Sequence, residues 1–133
     1  MILDALFANG TLLRPESPSL YDLSTAFVRL GGAPLPPSAG SAKIEAAIGE
    51  TDHVVFVLID GLGMNLVESL PADAFLRRQT AMELRSVFPS STAPALTSLA
   101  TGQRPGRHGV PAWWTHLPKA RLTATILHFA ERF

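Results

Sequence analysis

Two short stretches carry the side chains of this sequence that are best suited to chemistry. In the first, Asp60 follows six consecutive apolar residues, 54–59, and precedes a glycine-rich turn; in the second, residues 90–92 are three hydroxyl residues in a row. A carboxylate at the end of an apolar run is costly to desolvate unless a cation or backbone N–H groups compensate it. A threonine hydroxyl needs a base or a metal ion to act as a nucleophile near neutral pH. Asp60 and Thr92 therefore suggest a hydroxyl nucleophile assisted by a cation.

Helix capping is the alternative interpretation of both stretches. Serine and threonine side chains accept hydrogen bonds from the free N–H groups of a first helical turn, Pro94 fits such a turn, and Gly102 suits a helix end. In the same way, Asp60 is a suitable cap for the helix after the apolar run. The two stretches alone leave both interpretations open.

Bulk composition excludes some classes of function. The chain has 133 residues, of which 47% are hydrophobic and 17% charged, with eleven basic and eleven acidic side chains. This balance argues against a protein that grips a nucleic-acid backbone. Cysteine is absent, so a metal ion would need Asp, Glu, His or hydroxyl ligands. No apolar run approaches the length of a membrane span and the N-terminus lacks the pattern of a signal peptide, so we expect a cytoplasmic protein without membrane contact.

The periodicity of the chain predicts alternating helices and strands. Six apolar, mostly β-branched residues at 54–59 are typical of a central parallel strand buried on both faces. Strand, helix, strand, helix in that order indicates an α/β fold with a mainly parallel sheet, and ligands of such sheets bind beyond the carboxyl ends of the strands. The predicted helices are residues 19–32, 41–48, 64–80 in two pieces broken at Pro71, and 92–101. The second predicted strand is 84–89. Residues 33–40 are predicted as a linker, and residues 122–130 are ambiguous between strand and helix.

Three motifs in order resemble the type I phosphodiesterase and nucleotide pyrophosphatase family of the alkaline phosphatase superfamily. They are "DGLG" after the first strand, "FPSSTAPALTSLATG" after the second, and "RPGRHGV", and the similarity covers residues 50–111. The resemblance implies an alkaline-phosphatase-like sandwich of helices around a mainly parallel sheet. It also implies two divalent metal ions, zinc in this family, with Asp60 as a metal ligand and Thr92 as both metal ligand and nucleophile.

The implied reaction is metal-dependent hydrolysis of a phosphodiester or pyrophosphate bond through a phosphothreonine intermediate. The backbone N–H of Ala93 is a natural donor to the charge that develops on phosphorus-bound oxygen. We expect Ser90 and Ser91 to support the loop and His108 to be structural. Where many family members carry a phosphate-contacting Asn, this sequence has "VPAWWTH", so Trp113 is a candidate substrate contact, with packing as the alternative role.

Length is the largest departure from the family, whose members have several hundred residues and carry their remaining metal ligands further downstream. None of the four histidines, His53, His108, His116 and His128, lies in a motif that matches those ligands. We therefore expect residues 50–133 to be the N-terminal portion of a truncated catalytic domain, preceded by a helical and linker segment at 1–49. Such a piece should be inactive alone, because a catalytic zinc normally takes three protein ligands.

Two alternatives to phosphodiester hydrolysis stay open at this stage. One is a phosphomonoesterase or phosphonate hydrolase of the same superfamily, since the first motifs do not separate these activities. The other is a non-catalytic α/β binding domain in which Asp60 and Thr92 only cap helices. The substrate expected from the resemblance is a small phosphodiester or nucleotide, and the sequence does not determine the oligomeric state.

Overall fold

A computed structural model describes residues 8 and 17–127 and the backbone of 130–131. Within this part of the chain, helices dominate and a small sheet follows them. The helices are α1 (Leu20–Leu30), α2 (Ala39–Ile48), α3 (Met64–Ser69), α4 (Phe75–Gln79), α5 (Thr92–Thr101) and α6 (Pro105–His108), and the strands are β1 (Trp114–Leu117), β2 (Leu122–Thr125) and β3 (Ala130–Glu131). The predicted helices are thus confirmed, with α2 beginning two residues early and a break around Pro71 between α3 and α4. None of the helices described is long and apolar enough to cross a membrane.

The first two helices begin with reciprocal capping hydrogen bonds. Ser19 caps α1, with Asp22 as its partner three residues later, and Ser38 caps α2 in the same way with Ser41. These bonds satisfy N–H groups that have no acceptor inside the helix. At the other end of α1, the N–H of Gly31 bonds to the Phe27 carbonyl. The local sequence therefore determines where α1 and α2 start.

Asp22 also joins the start of α1 to the start of α2. Its carboxylate accepts from the Ser19 backbone N–H at 2.8 Å, the Ser19 hydroxyl at 2.7 Å and the Ser38 hydroxyl at 2.6 Å. Gly40 approaches so closely that a Cβ there would lie 2.5 Å from Asp22 Cγ. Further along, Arg29 Nε and Glu45 Oε1 form an ion pair of 2.7 Å between the same two helices. Asp22 is therefore the polar centre of the α1–α2 contact.

Stability should depend on the charge of Asp22. Burial raises the pKa of this carboxyl, but hydrogen bonds from Ser38 and Ser19 and the positive charge of Arg104 outweigh that effect, so the pKa is lowered. A lowered folded-state pKa gives stability that is fully present above the ordinary value of 3.8 and is lost as the pH falls through the folded-state pKa. At pH 7, we expect Asp22→Asn to reduce the free energy of unfolding by about 1–2 kcal/mol.

Urea denaturation at pH 7 and again near pH 3 measures this effect. The difference between wild type and Asp22→Asn should shrink at the lower pH, because below 3.8 the unfolded wild-type chain takes up a proton at Asp22 more readily than the folded chain does. Asp73→Asn, which removes the charge of an exposed carboxylate, is the matched control and should leave stability nearly unchanged. A difference between wild type and Asp22→Asn that stays constant with pH would contradict the role given to the charge.

Helix α5 lies at the centre of the packed part of the chain. Its residues Ala93, Pro94 and Ser98 are buried, and α1 packs against it through a hydrogen bond from the Ser24 hydroxyl to the Leu99 carbonyl at 2.8 Å. Helix α6 is held to α5 by a 3.0 Å contact between Ser98 Oγ and His108 Nε2. Helix α1 of the predicted N-terminal segment thus supports α5 directly.

The predicted mainly parallel sheet is not formed by the described residues. Their sheet is antiparallel, in the order β1-β2-β3, and lies after the helices. Residues 84–89, predicted as a strand, contribute a single parallel bridge between Arg85 and Ser19. Residues 122–130, which the sequence left ambiguous, contain β2 and the start of β3, although 128 and 129 lie outside the described residues. The prediction fails because a strand needs neighbouring strands with which to form backbone hydrogen bonds, and the described residues provide none for 54–59.

Residues 54–59 form an apolar segment that lies outside the described helices and strands. Their exposed fractions lie between 45% and 87%, and no backbone hydrogen bond joins residues 54–58 to another described residue. One ring contact attaches the segment to α1, with Phe56 edge-on to Phe27 at a centroid distance of 5.0 Å. The predicted burial on both faces is therefore wrong for the described part of the chain, and the segment leads directly into Asp60.

Candidate active site

Asp60 and Thr92 lie at the same cleft of about 420 Å³. Three groups of residues line it: the turn from Leu58 to Gly63, the hydroxyl run at 90–92, and apolar side chains of α5 with their neighbours. The apolar segment at 54–59 ends at this cleft, and α5 begins there. The meeting of a segment end and a helix start is what the sequence predicted for these two stretches, although the sheet expected to align them is not seen.

Asp60 is held at the start of a glycine turn. Gly61 has a φ of 81°, which glycine adopts without steric cost, and the Leu62 N–H bonds back to the Ile59 carbonyl at 3.4 Å. The carboxylate of Asp60 is exposed to solvent. The next helix, α3, has Gly63 as its cap and no side-chain cap hydrogen bond, so Asp60 does not cap it.

Thr92 is the first residue of α5, one position after the cap. The helix has no side-chain cap hydrogen bond, so Thr92 does not cap it either. Instead, the Thr92 hydroxyl points to the carboxylate across the cleft, with Oγ1 at 3.4 Å from Asp60 Oδ2. This separation is long for a hydrogen bond between oxygen atoms. Capping, the alternative interpretation of both residues, therefore does not describe the observed geometry.

The spacing of these two oxygens fits a shared metal ion. Oxygen ligands lie about 2.1 Å from zinc, and two of them in a tetrahedral arrangement are therefore about 3.4 Å apart. This matches the observed distance between Thr92 Oγ1 and Asp60 Oδ2. The described residues contain no group of three or more Asp, Glu, His or Cys side chains able to hold a metal ion. Asp60 and Thr92 thus fit two positions of a metal site, and the described residues do not supply the others.

The charge of the cleft also bears on its ligands. Among the described residues that line it, Asp60 is the one ionisable side chain, and the remainder are apolar, glycine or hydroxyl residues. A phosphate group would be repelled by the carboxylate and attracted only by the N-terminus of α5, whose free N–H groups favour negative charge. The carboxylate of Asp60 therefore disfavours an anionic ligand at this cleft, and a bound cation would offset that effect.

The other residues singled out in the sequence lie elsewhere or are occupied. Ala93 is buried at the second position of α5. Trp113 does not line the cleft. His108 has both ring nitrogens engaged, Nε2 with Ser98 and Nδ1 accepting from the Val110 N–H at 3.1 Å, which fits a structural residue. His116 Nδ1 contacts Thr123 Oγ1 at 3.2 Å across the hairpin, His53 lines a different cleft, and His128 lies outside the described residues.

Ser91 is the residue of the cleft that the sequence interpretation undervalued. It was expected to support the loop, but its hydroxyl oxygen is buried and has no hydrogen-bond partner among the described residues. The signal was present in the sequence, since Pro94, three residues later, lacks the N–H that a capping serine would use.

Comparison with known proteins defines the class to which this cleft belongs. A family model described as type I phosphodiesterase / nucleotide pyrophosphatase matches residues 54–125, which is more than half of the chain and contains Asp60 and Thr92. The chain belongs to this family, and the family assignment predicted from the three motifs is confirmed. No curated protein and no solved structure matches the chain. The family indicates a hydrolase acting on phosphodiester or nucleotide substrates.

Proposed function

We propose that this chain carries the nucleophile and one metal ligand of a metal-dependent phosphodiesterase or nucleotide pyrophosphatase. The observation that supports the proposal best is the 3.4 Å approach of Thr92 Oγ1 to Asp60 Oδ2 at the start of α5, inside the region matched by the family. An exposed carboxylate facing a hydroxyl at a helix N-terminus suits a cation on one side and a phosphoryl group on the other.

In the proposed reaction, Thr92 Oγ1 attacks the phosphorus atom of the substrate. A bond forms between this oxygen and phosphorus, and the bond to the departing alcohol or nucleotide breaks, which leaves a phosphothreonine. Water then cleaves the phosphothreonine, releases the phosphoryl product and restores the hydroxyl. Divalent metal ions, zinc in our proposal, would be held in part by Asp60 and Thr92. They would make the hydroxyl easier to deprotonate and would neutralise phosphate charge, while the hydroxyl proton passes to water and the departing oxygen takes up a proton from water.

The N-terminus of α5 contributes through its backbone. The N–H groups of Thr92 and Ala93, in its first turn, lack acceptors within the helix. In our proposal, the Ala93 N–H donates to a non-bridging phosphoryl oxygen as negative charge builds on it, because the Ser91 side chain does not accept from any N–H of this turn. The rigid packing of α5 against α1 keeps this donor in place.

We also propose that residues 50–133 form part of a larger catalytic domain. The exposed apolar segment 54–59 lacks strand neighbours among the described residues, and Asp60 at its end lacks further metal ligands there. Strands paired on both edges of 54–59 would bury these side chains and would bring their own ends next to Asp60. Residues 1–133 without those strands would then be inactive. The cytoplasmic location stays a prediction from the sequence.

Zinc-dependent hydrolysis tests the proposal directly. We expect the protein produced from the longest reading frame that contains this chain to hydrolyse bis-p-nitrophenyl phosphate, to lose this activity on treatment with a chelator, and to regain it with zinc. Faster hydrolysis of p-nitrophenyl phosphate than of the diester would favour a phosphomonoesterase of the same superfamily. Turnover of neither ester, with zinc present, would contradict the proposed activity.

A further inference from the structure

Three serines of this chain stand at the cap position of a helix, and one of them does not cap. Ser19, Ser38 and Ser91 share an extended backbone, with φ of −111°, −84° and −98°. The side chains of Ser19 and Ser38 accept from the backbone N–H three residues later, whereas the side chain of Ser91 makes no cap hydrogen bond. The backbone conformation of Ser91 is ordinary for a cap, so the missing cap hydrogen bond has its cause in the helix that follows Ser91.

Pro94 explains why the cap is missing. It occupies the third position of α5, where Asp22 and Ser41 donate their N–H groups in the other two helices. Proline has no N–H, so the Ser91 hydroxyl loses its usual donor. Pro94 is also fully buried, which fixes the start of α5 in this arrangement. The N–H of Ala93, at the second position, could also serve as a donor, but the Ser91 side chain makes no hydrogen bond to it.

The Ser91 hydroxyl lacks a hydrogen-bond partner among the described residues. Its oxygen is buried, and a buried polar group without a partner costs free energy and is rare in native proteins. Ser91 lines the same cleft as Asp60 and Thr92. An unpartnered polar group beside a substrate cleft is explained when the substrate is its partner.

We propose that Ser91 contacts the substrate and donates a hydrogen bond from its hydroxyl to a non-bridging phosphoryl oxygen. This inference rests on the proposed phosphodiesterase function and adds a substrate contact to it. Ser91 and Thr92 are adjacent, with α-carbons about 3.8 Å apart, so a phosphoryl group at Thr92 Oγ1 lies within reach of Ser91 Oγ after rotation about its Cα–Cβ bond. Loss of the cap bond makes this rotation free of competition from the backbone.

Removal of the hydroxyl separates this role from a structural one. In the protein from the longest reading frame, loaded with zinc, we expect Ser91→Ala to weaken binding of inorganic phosphate about tenfold or more, measured by calorimetry, and to raise KM for bis-p-nitrophenyl phosphate. The melting temperature without phosphate should stay equal or rise, because the variant removes a buried polar group that has no partner. A capping or loop-supporting serine would instead lower it.

Two further variants sharpen the experiment. Ser91→Gly should weaken phosphate binding as Ser91→Ala does, since glycine is also tolerated at a helix cap and folding should be kept. Ser69→Ala removes an exposed serine hydroxyl outside the cleft and should bind phosphate like wild type. If both Ser91 variants bind phosphate with wild-type affinity while Thr92→Ala loses activity, the role of Ser91 is overturned and the proposed function is not. A wild-type protein that neither binds phosphate nor turns over the diester would overturn the proposed function and this inference together.

Discussion

Thr92→Ala is expected to lower the turnover of bis-p-nitrophenyl phosphate by about a thousandfold or more, because the variant lacks the oxygen that attacks phosphorus. Alanine is a good helix former at the first position of α5, and Thr92 makes no cap bond, so folding should be unaffected. Zinc content should fall far less than turnover, because Thr92 is one neutral ligand and Asp60 and the ligands that we propose from other parts of the domain would remain. Steady-state kinetics together with metal analysis of the purified variant measure both effects.

Thr92→Ser is the matched control for this substitution. It keeps a hydroxyl at the start of α5 and removes a methyl group, so it should retain a substantial part of the activity. Thr97→Ala, one turn further along the same helix, tests whether any loss of a threonine from α5 slows the reaction, and should not do so. Activity in Thr92→Ala that stays within tenfold of wild type would remove Thr92 from the role of nucleophile.

The sequence predicts the helices well because the residues next to each helix end determine where the helix begins and ends. Ser19 with Asp22 three residues later signals the start of α1, and the glycines at 31 and 32 signal its end. The bounds predicted for α5, 92–101, agree with the structure, and Gly102 follows in a left-handed conformation with φ of 62°. In each case the deciding contacts lie within a few residues along the chain.

The sheet could not be predicted in the same way, because strand pairing joins residues that are distant in sequence. The apolar run at 54–59 indicates a strand, yet whether it is buried depends on neighbours that the run itself does not encode, and the described residues contain none. The antiparallel hairpin of β1 and β2 was not predicted either. Its buried positions include Thr115 and Thr125, so the alternation of apolar and polar residues that marks a half-buried strand is weak.

The meeting of Asp60 and Thr92 was predictable, because both residues were expected at segment ends on the same side of the fold. Asp60 and Thr92 lie 32 positions apart in sequence, and the prediction that they meet rested on the order of elements and the family resemblance. The structure brings them to 3.4 Å, while their roles as ligand and nucleophile stay predictions. The missing cap at Ser91 depends on a single local feature, Pro94, and could have been deduced from the sequence.

Asp60→Asn is expected to have the second large effect, and it should differ in kind from that of Thr92→Ala. Asparagine keeps the shape of the side chain but loses the negative charge that attracts a cation. Zinc affinity should therefore fall by at least about a hundredfold, and turnover should fall with it, because no cationic side chain among the described residues of the cleft would replace the metal ion in offsetting phosphate charge. Zinc retained after dialysis against a weak chelator measures the affinity, and diester hydrolysis measures the turnover.

Asp52→Asn provides the control for Asp60→Asn, since Asp52 is also exposed and lies at the opposite end of the apolar segment. It should keep both zinc and activity. If Asp60 is a ligand, Asp60→Asn loses zinc and activity together, whereas Thr92→Ala loses activity and keeps most of its zinc. The two variants thereby separate holding the metal from attacking phosphorus, which the 3.4 Å contact alone does not distinguish. An Asp60→Asn protein that retains zinc at wild-type affinity would show that the carboxylate does not bind it, and the bound cation would then have to be held by other residues.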